Sequence, residues 1–253
     1  MSSFHVRQLS CLAAAFTLAV AARAEEPAII AKARAYLGTE AALNAIKSVQ
    51  FAGSVTTTNP ADASKLTSAK IEIIAQKPDQ QRVVATTDKG VETTVVDGYE
   101  GWQRFQETAN PKNQRLTVLK PDALKRLRAQ AWENLSFFRG IERQGGRVED
   151  QGTTKVDDIT CQKIAFIHPP NIVFVRYFDV ATGRLVRTDT DDGGMTREEG
   201  ERVVAGVRFP KSMKMTIKGS KGDTQVVTIA LDTVKVNETF PAAVFRMPSP
   251  GSN

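Results

Sequence analysis

The feature that most constrains this chain is an apolar period of two residues that begins at Val49 and recurs as far as Val236. Val49, Phe51, Gly53 and Val55 share one face of an extended segment, and Ile71, Ile73 and Ala75 share one face of the next. Gln81 to Thr87 and Val91 to Val96 follow, parted by the turn Asp88-Lys89-Gly90, and Asp97-Gly98 leads into Gly101 to Phe105. Successive side chains of a strand point to opposite faces, and connections this short join only antiparallel neighbours. Residues 49 to 106 therefore predict an antiparallel meander.

The same period returns after residue 158. Ile159 to Ile167 is closed by His168-Pro169-Pro170, and Ile172 to Phe178 turns through Asp179-Val180-Ala181-Thr182-Gly183 into Arg184 to Asp191. Asp191-Asp192-Gly193-Gly194 opens a charged loop through Gly200. Met213, Met215 and Ile217 then alternate with polar residues, and Thr224 to Val236 makes a long last strand. The pattern predicts about 11 strands.

Two stretches have helical spacing instead. Ile29, Ile30, Ala33 and Leu37, then Leu43 and Ile46, mark two short helices, with Gly38 as a C-cap and Thr39 as an N-cap. From Pro121 to Gly140, Leu124, Leu127, Ala131, Leu135 and Phe138 form a stripe widened by Trp132 and Phe137. This helix is expected to cover the concave side of the sheet. No linker divides residues 25–248, which read as one domain, mainly β with added helices.

The two ends carry other information. Arg7, an apolar run from Leu9 to Ala21 and the small-residue site Ala22-Arg23-Ala24 have the order of a secretory signal. The run is short of the roughly 20 residues of a membrane span. Cys11 precedes most of that run, which is the wrong place for a lipid-attachment cysteine. Export would leave a chain from Glu25 with Cys161 as its one cysteine, a small core residue with no disulfide partner. Residues 249–253 have a disordered composition.

Without Arg7 and Arg23 the chain carries 32 cations against 28 acids, interspersed rather than clustered. Nucleic-acid binding calls for a concentrated basic stripe, so that class is set aside. Catalytic signatures are scarce. His168 is the one histidine left after export, and it reads as a turn residue whose change to Ala leaves function intact. Asp157-Asp158 and Asp189-x-Asp191-Asp192 lack the spacing of a calcium loop, and one His with one Cys does not make a common zinc site. No metal and no cofactor are expected.

Four segments carry a family resemblance. Ala35-Tyr36-Leu37-Gly38 with Ala41, Leu43, Ile46 and Phe51-x-Gly53 is similar to an opening helix and first strand. Val96-Asp97-Gly98 with Trp102, Phe178-Asp179-x-x-Thr182-Gly183-x-Leu185-Val186, and Val236-Asn237 to Phe240-Pro241 with Phe245 and Pro248 complete the set. Together they resemble the LolA/LolB/RseB-like superfamily of periplasmic half-barrels. The resemblance implies an open, curved antiparallel half-barrel capped by helices, with an apolar cavity for lipid or a lipoprotein acyl chain. Carriers of this kind latch a lid with an arginine, and none aligns here; Arg82 and Arg104 lie on expected strands.

The resulting expectation is a non-enzymatic periplasmic binder of a hydrophobic ligand, with Trp132, Leu135, Phe138 and Trp102 as ligand-binding residues. Two alternatives are a protein-interaction or envelope-stress-sensing module with a transient envelope partner, and a hydrolase with an unrecognised carboxylate site. N-terminal sequencing of the exported protein is expected to begin at Glu25; recovery of Met1, or of any residue before Ala24, contradicts the leader.

Overall fold

The computed structural model describes residues 26–59, 62–218 and 223–248; the expected leader, 1–24, and the expected tail, 249–253, lie outside them. After helices α1 (Ala28–Leu37) and α2 (Glu40–Ala45) come β1 (Ser48–Asn59), β2 (Asp62–Gln76), β3 (Gln80–Thr86), β4 (Gly90–Asp97), β5 (Glu100–Glu107) and β6 (Gln114–Val118). Helix α3 (Pro121–Ser136) leads to β7 (Arg147–Val156), β8 (Ile159–His168), β9 (Ile172–Asp179), β10 (Leu185–Thr190), β11 (Met195–Val204), β12 (Val207–Lys218) and β13 (Thr224–Val236). All pair antiparallel in one sheet, ordered β6-β5-β4-β3-β2-β1-β13-β12-β11-β10-β9-β8-β7.

The sheet is thus two meanders joined where the first strand pairs with the last. At that seam the register shifts between Ala52 and Gly53, with Asp232 of β13 as the extra, bulged residue. A Cβ on Gly53 would sit 1.9 Å from the Ala230 carbonyl oxygen, so only glycine lets the two backbones meet there. The turn after β9 is held by its own side chain: the Asp179 carboxylate accepts from Ala181 N at 2.8 Å and Thr182 Oγ1 at 2.6 Å. Gly183 follows at φ 81. A Cβ there would lie 2.7 Å from the Lys32 backbone in α1, so this glycine lets the turn pack beneath the helix.

The curvature follows from what α3 touches. Neighbouring strands lie about 4.8 Å apart, so eight spacings would hold β3 and β8 about 38 Å apart in a flat sheet. Yet consecutive residues of α3 reach both strands. Glu133 Oε1 lies 2.6 Å from His168 Nε2 on β8, and Asn134 Nδ2 donates to Gln81 Oε1 on β3 at 2.6 Å. The sheet therefore curls around α3 into an open half-barrel, with β6 and β7 as its edges.

Within the first arm, α3 follows one register row. Gly101, Val96, Gln81, Ala75 and Val49 are paired across five strands. Leu124 packs over Gly101, where a Cβ would come within 2.8 Å of the leucine methyl. Asn134 meets Gln81, and Leu135 joins Ala75 and Val49 in a buried cluster with Leu43, Ile46, Val207 and Phe209. At about 1.5 Å per residue the helix has the length this row requires.

Helix α3 ends earlier than Gly140, the expected terminus, because Phe137 and Phe138 both turn left-handed (φ 48 and 68). Bulky residues seldom adopt this conformation. Here it sends adjacent rings into opposite arms: Phe137 joins the cluster of β1, β2 and α2, while Phe138 packs edge-on against Phe178, 5.0 Å between centroids. Buried Arg34 of α1 secures the turn. Its Nη1 donates to the Phe137 carbonyl at 2.6 Å, and its Nε and Nη2 grip Glu40 at 2.7 and 2.5 Å.

Thirteen strands stand where about 11 were expected, and three of them, β6, β7 and β11, are at places the pattern did not mark. β6 is exposed throughout and β7 almost throughout, so neither has an inward face to impose alternation. β11 was expected as a charged loop; it is a strand whose acids and arginines lie half-buried or exposed along the sheet.

His168 also departs from expectation, for it is no free turn residue. It is 4% exposed and bonded to Glu133, whose other oxygen accepts from Arg176 Nη1 on β9 at 2.7 Å. An ionised carboxylate only accepts, so His168 Nε2 carries the shared proton. Burial alone would raise the Glu133 carboxyl, but the Arg176 guanidinium and His168 outweigh it and hold it below the ordinary 4.5. A carboxyl so depressed adds stability above pH 4.5 and loses it as pH falls further. Glu133→Gln leaves the buried Arg176 charge without its carboxylate and is expected to cost about 3–5 kcal/mol at pH 7, whereas His168→Ala removes one donor and leaves Glu133 paired with Arg176. Thermal melts should show wild type and Glu133→Gln converging as pH drops below 4.5; an equal gap at acid and neutral pH contradicts the assignment.

Candidate functional site

The rows next to the one under α3 are apolar, and of them Phe51 also packs against the cluster that holds Leu43 and Leu135. Phe51, Ile73 and Val83 are paired in one row, and Gly53, Ile71 and Ala85 in the next. Across the seam the same face continues as Leu231, Ile229 and Val227, then Met213 opposite Ile229 and Met215 opposite Val227. Ile71, Val227, Ile229 and Leu231 form the buried floor, and Phe51, Val55, Ile73, Val83, Met213 and Met215 are only half-buried. No helical residue belongs to this cluster among the described residues. It is a partly exposed apolar trough beside the row under α3, of the kind that marks a binding surface. The two methionines give part of its wall an unbranched, adaptable surface.

One wall of the trough is polar. Glu198 on β11 lies opposite Met213 and therefore faces the same way. Burial raises its carboxyl above the ordinary range, against the pull of Arg176. Arg176 lies over the rings of Phe166 and Phe138, 4.5 and 5.0 Å from their centroids, and its Nε has no hydrogen-bond partner among the described residues.

The four residues expected at the site separate. Leu135 and Phe138 lie in the packed base, 3% and 9% exposed. Trp102 points to the opposite face of the sheet, because it pairs with Val95 rather than Val96. There the segment after β13 crosses the strands, Phe245 packs on Ile74, Val95 and Trp102, and Trp102 Nε1 donates to the Phe245 carbonyl at 2.9 Å. A cleft of about 430 Å³ beside this contact is lined by Arg82, Arg104 and Arg246 among others. Trp132 alone of the four is half-buried; it lines a separate cleft on the outer side of α3.

Sequence reasoning missed the trough residues themselves. Met213 and Met215 stood out only as alternation, and nothing in a strand pattern says which apolar face stays uncovered. Arg34 was missed as the residue that holds the end of α3, since it reads as a surface position of α1. Arg82 pairs with Glu72 at 2.9 Å on the face away from α3. Three of the carboxylates weighed as cation ligands are engaged by arginines: Asp191 by Arg126 at 2.8 Å, Asp157 by Arg197 at 2.7 Å and Asp189 by Arg187 at 2.9 Å. Among the described residues no cluster of His, Cys, Asp and Glu is arranged to hold a metal ion, and no helix is long and apolar enough to cross a membrane.

No family model matches the sequence, and no curated protein matches it. Solved structures do match the fold. A LolA superfamily protein from Nitrosomonas europaea superposes with a TM-score of 0.58 at 11% identity, over 87% of this chain and 96% of its own. A DUF1329 family protein from Desulfovibrio piger gives 0.55 at 9% identity, over 87% and 96%. A putative outer membrane lipoprotein-sorting protein domain from Vibrio parahaemolyticus gives 0.54 at 10% identity, over 85% and 94%. The open thirteen-stranded sheet curled around α3 is a LolA-like half-barrel.

Proposed function

We propose that this protein is an exported, non-enzymatic binder of a hydrophobic ligand, and that the trough beside α3 takes an acyl chain of a lipid or lipoprotein. The observation that carries the reading is the half-buried apolar surface of Val55, Ile73, Val83, Met213 and Met215, in a cluster that includes no helical residue among the described residues. Leaving such a surface in water costs about 25 cal/mol per Å², so a ligand that covers it gains that much. The likeness of fold to a putative lipoprotein-sorting domain supports the chemistry, and the leader pattern of residues 7–24 supports a periplasmic location.

Leu135 and Phe138 serve this function by packing the base against which the trough is built, and direct ligand contact passes to the trough residues. Native mass spectrometry of protein isolated from the periplasm should find co-purified lipid. The double change Met213→Gln and Met215→Gln replaces half-buried groups at the trough wall. It is expected to cut retained lipid about tenfold, a loss of about 1.4 kcal/mol, with little change in melting temperature. A lipid-free wild type, or a protein partner recovered in place of lipid, contradicts the reading, as does retention unchanged by the double variant.

A further inference from the structure

The cleft on the outer side of α3, about 310 Å³ in volume, is not accounted for by the trough. Lys125, Arg128 and Trp132 line it from the helix, Arg143 from the 3-10 turn Ile141–Gln144, and Asp79 and Tyr99 from turns of the first arm. Arg128 is held in place: its guanidinium lies 3.8 Å over the Tyr99 ring, and its Nη2 reaches Asp79 at 3.3 Å. Arg143 makes no ion pair among the described residues, and Lys125 has only exposed Asp122 at 3.5 Å on its own helix. His168 also borders the cleft, but its Nε2 is already shared with Glu133. Three cations thus converge where Asp79 is the one lining acid.

Two of the donors are buried and unused. Trp132 Nε1 and Arg128 Nε both lack a hydrogen-bond partner among the described residues. An indole N–H and a guanidinium N–H only donate. A buried donor left without an acceptor is destabilising, so the cleft is built to receive acceptor atoms, and the cations require those acceptors to be negatively charged. From this geometry we infer a binding site for a phosphate-type oxyanion, cradled by Trp132 Nε1, Arg128, Lys125 and Arg143. The charge-assisted bonds of such a site are short and strong, and a planar guanidinium already stacked on Tyr99 loses little freedom on binding. The site stands independently of the acyl-chain reading, because none of its residues belongs to the trough cluster.

The two tryptophans provide the test. Each gives an indole N–H resonance in a nitrogen–proton NMR spectrum, assigned with Trp132→Phe. Titration with inorganic phosphate, and separately with dihexanoyl phosphatidic acid, is expected to move the Trp132 indole signal and leave that of Trp102, already bonded to Phe245, in place. Arg143→Gln and Lys125→Gln alter exposed side chains and should leave the fold unchanged. Each is expected to weaken binding about tenfold, and added salt to weaken it further. Tighter binding of the lipid identifies a headgroup as the source, and equal or tighter binding of free phosphate identifies a soluble anion. A Trp132 signal that neither compound moves, or affinities indifferent to both variants, overturns the site.

Discussion

One helix is tied to both arms of the sheet at adjacent residues, and the rest of the structure depends on that tie. Glu133 bonds to His168 and Arg176 of the second arm while Asn134 bonds to Gln81 of the first. Ion pairs extend it outward: Arg126 grips Asp191 bidentately on one side of α3, and Arg128 meets Asp79 on the other. Residues 126 and 128 lie about 200° apart around a helix of 3.6 residues per turn, so their opposed directions follow from the sequence spacing. The buried carboxylate is a costly way to fasten an element, since desolvation offsets much of the attraction. It is also specific: only one rotation of α3 satisfies Glu133, Asn134 and the Phe137–Phe138 turn together.

From this tie comes the trough. A sheet fastened around α3 along the row Gly101, Val96, Gln81, Ala75 and Val49 keeps its next rows curved but uncovered. The same apolar periodicity therefore yields packed core under the helix and open surface beside it. Binding and folding draw on one pattern of alternating residues, and the position of one helix decides which residues serve which purpose.

Most of the fold was legible because period two and turn chemistry agree in this chain. The turns at 88–90 and 97–98, the helix from Pro121 and the Asp179 hairpin all stand where residue types demand them. What was illegible has physical causes. Edge strands β6 and β7 face water and need no alternation. β11 hides its register because Glu198 stands on the trough face where an apolar residue would be expected. His168 looked partnerless because Glu133, its partner, sits 35 residues before it, brought to it only by the curl of the sheet. The candidate site was the least legible part. Aromatic residues such as Phe138 and Trp102 drew attention by size, but large side chains are the ones a core and a C-terminal clasp use first.

The central claim is that the open half of the apolar face, and not its packed half, receives a ligand. Methyl-resolved NMR with a soluble acyl-chain compound tests it most directly. The account predicts shifts at the methyls of Met213, Met215, Ile71 and Ile229, with those of Ile30, Leu43 and Ile46 in the base unmoved. Shifts confined to the base, or none at the trough on saturation with the compound, would contradict it.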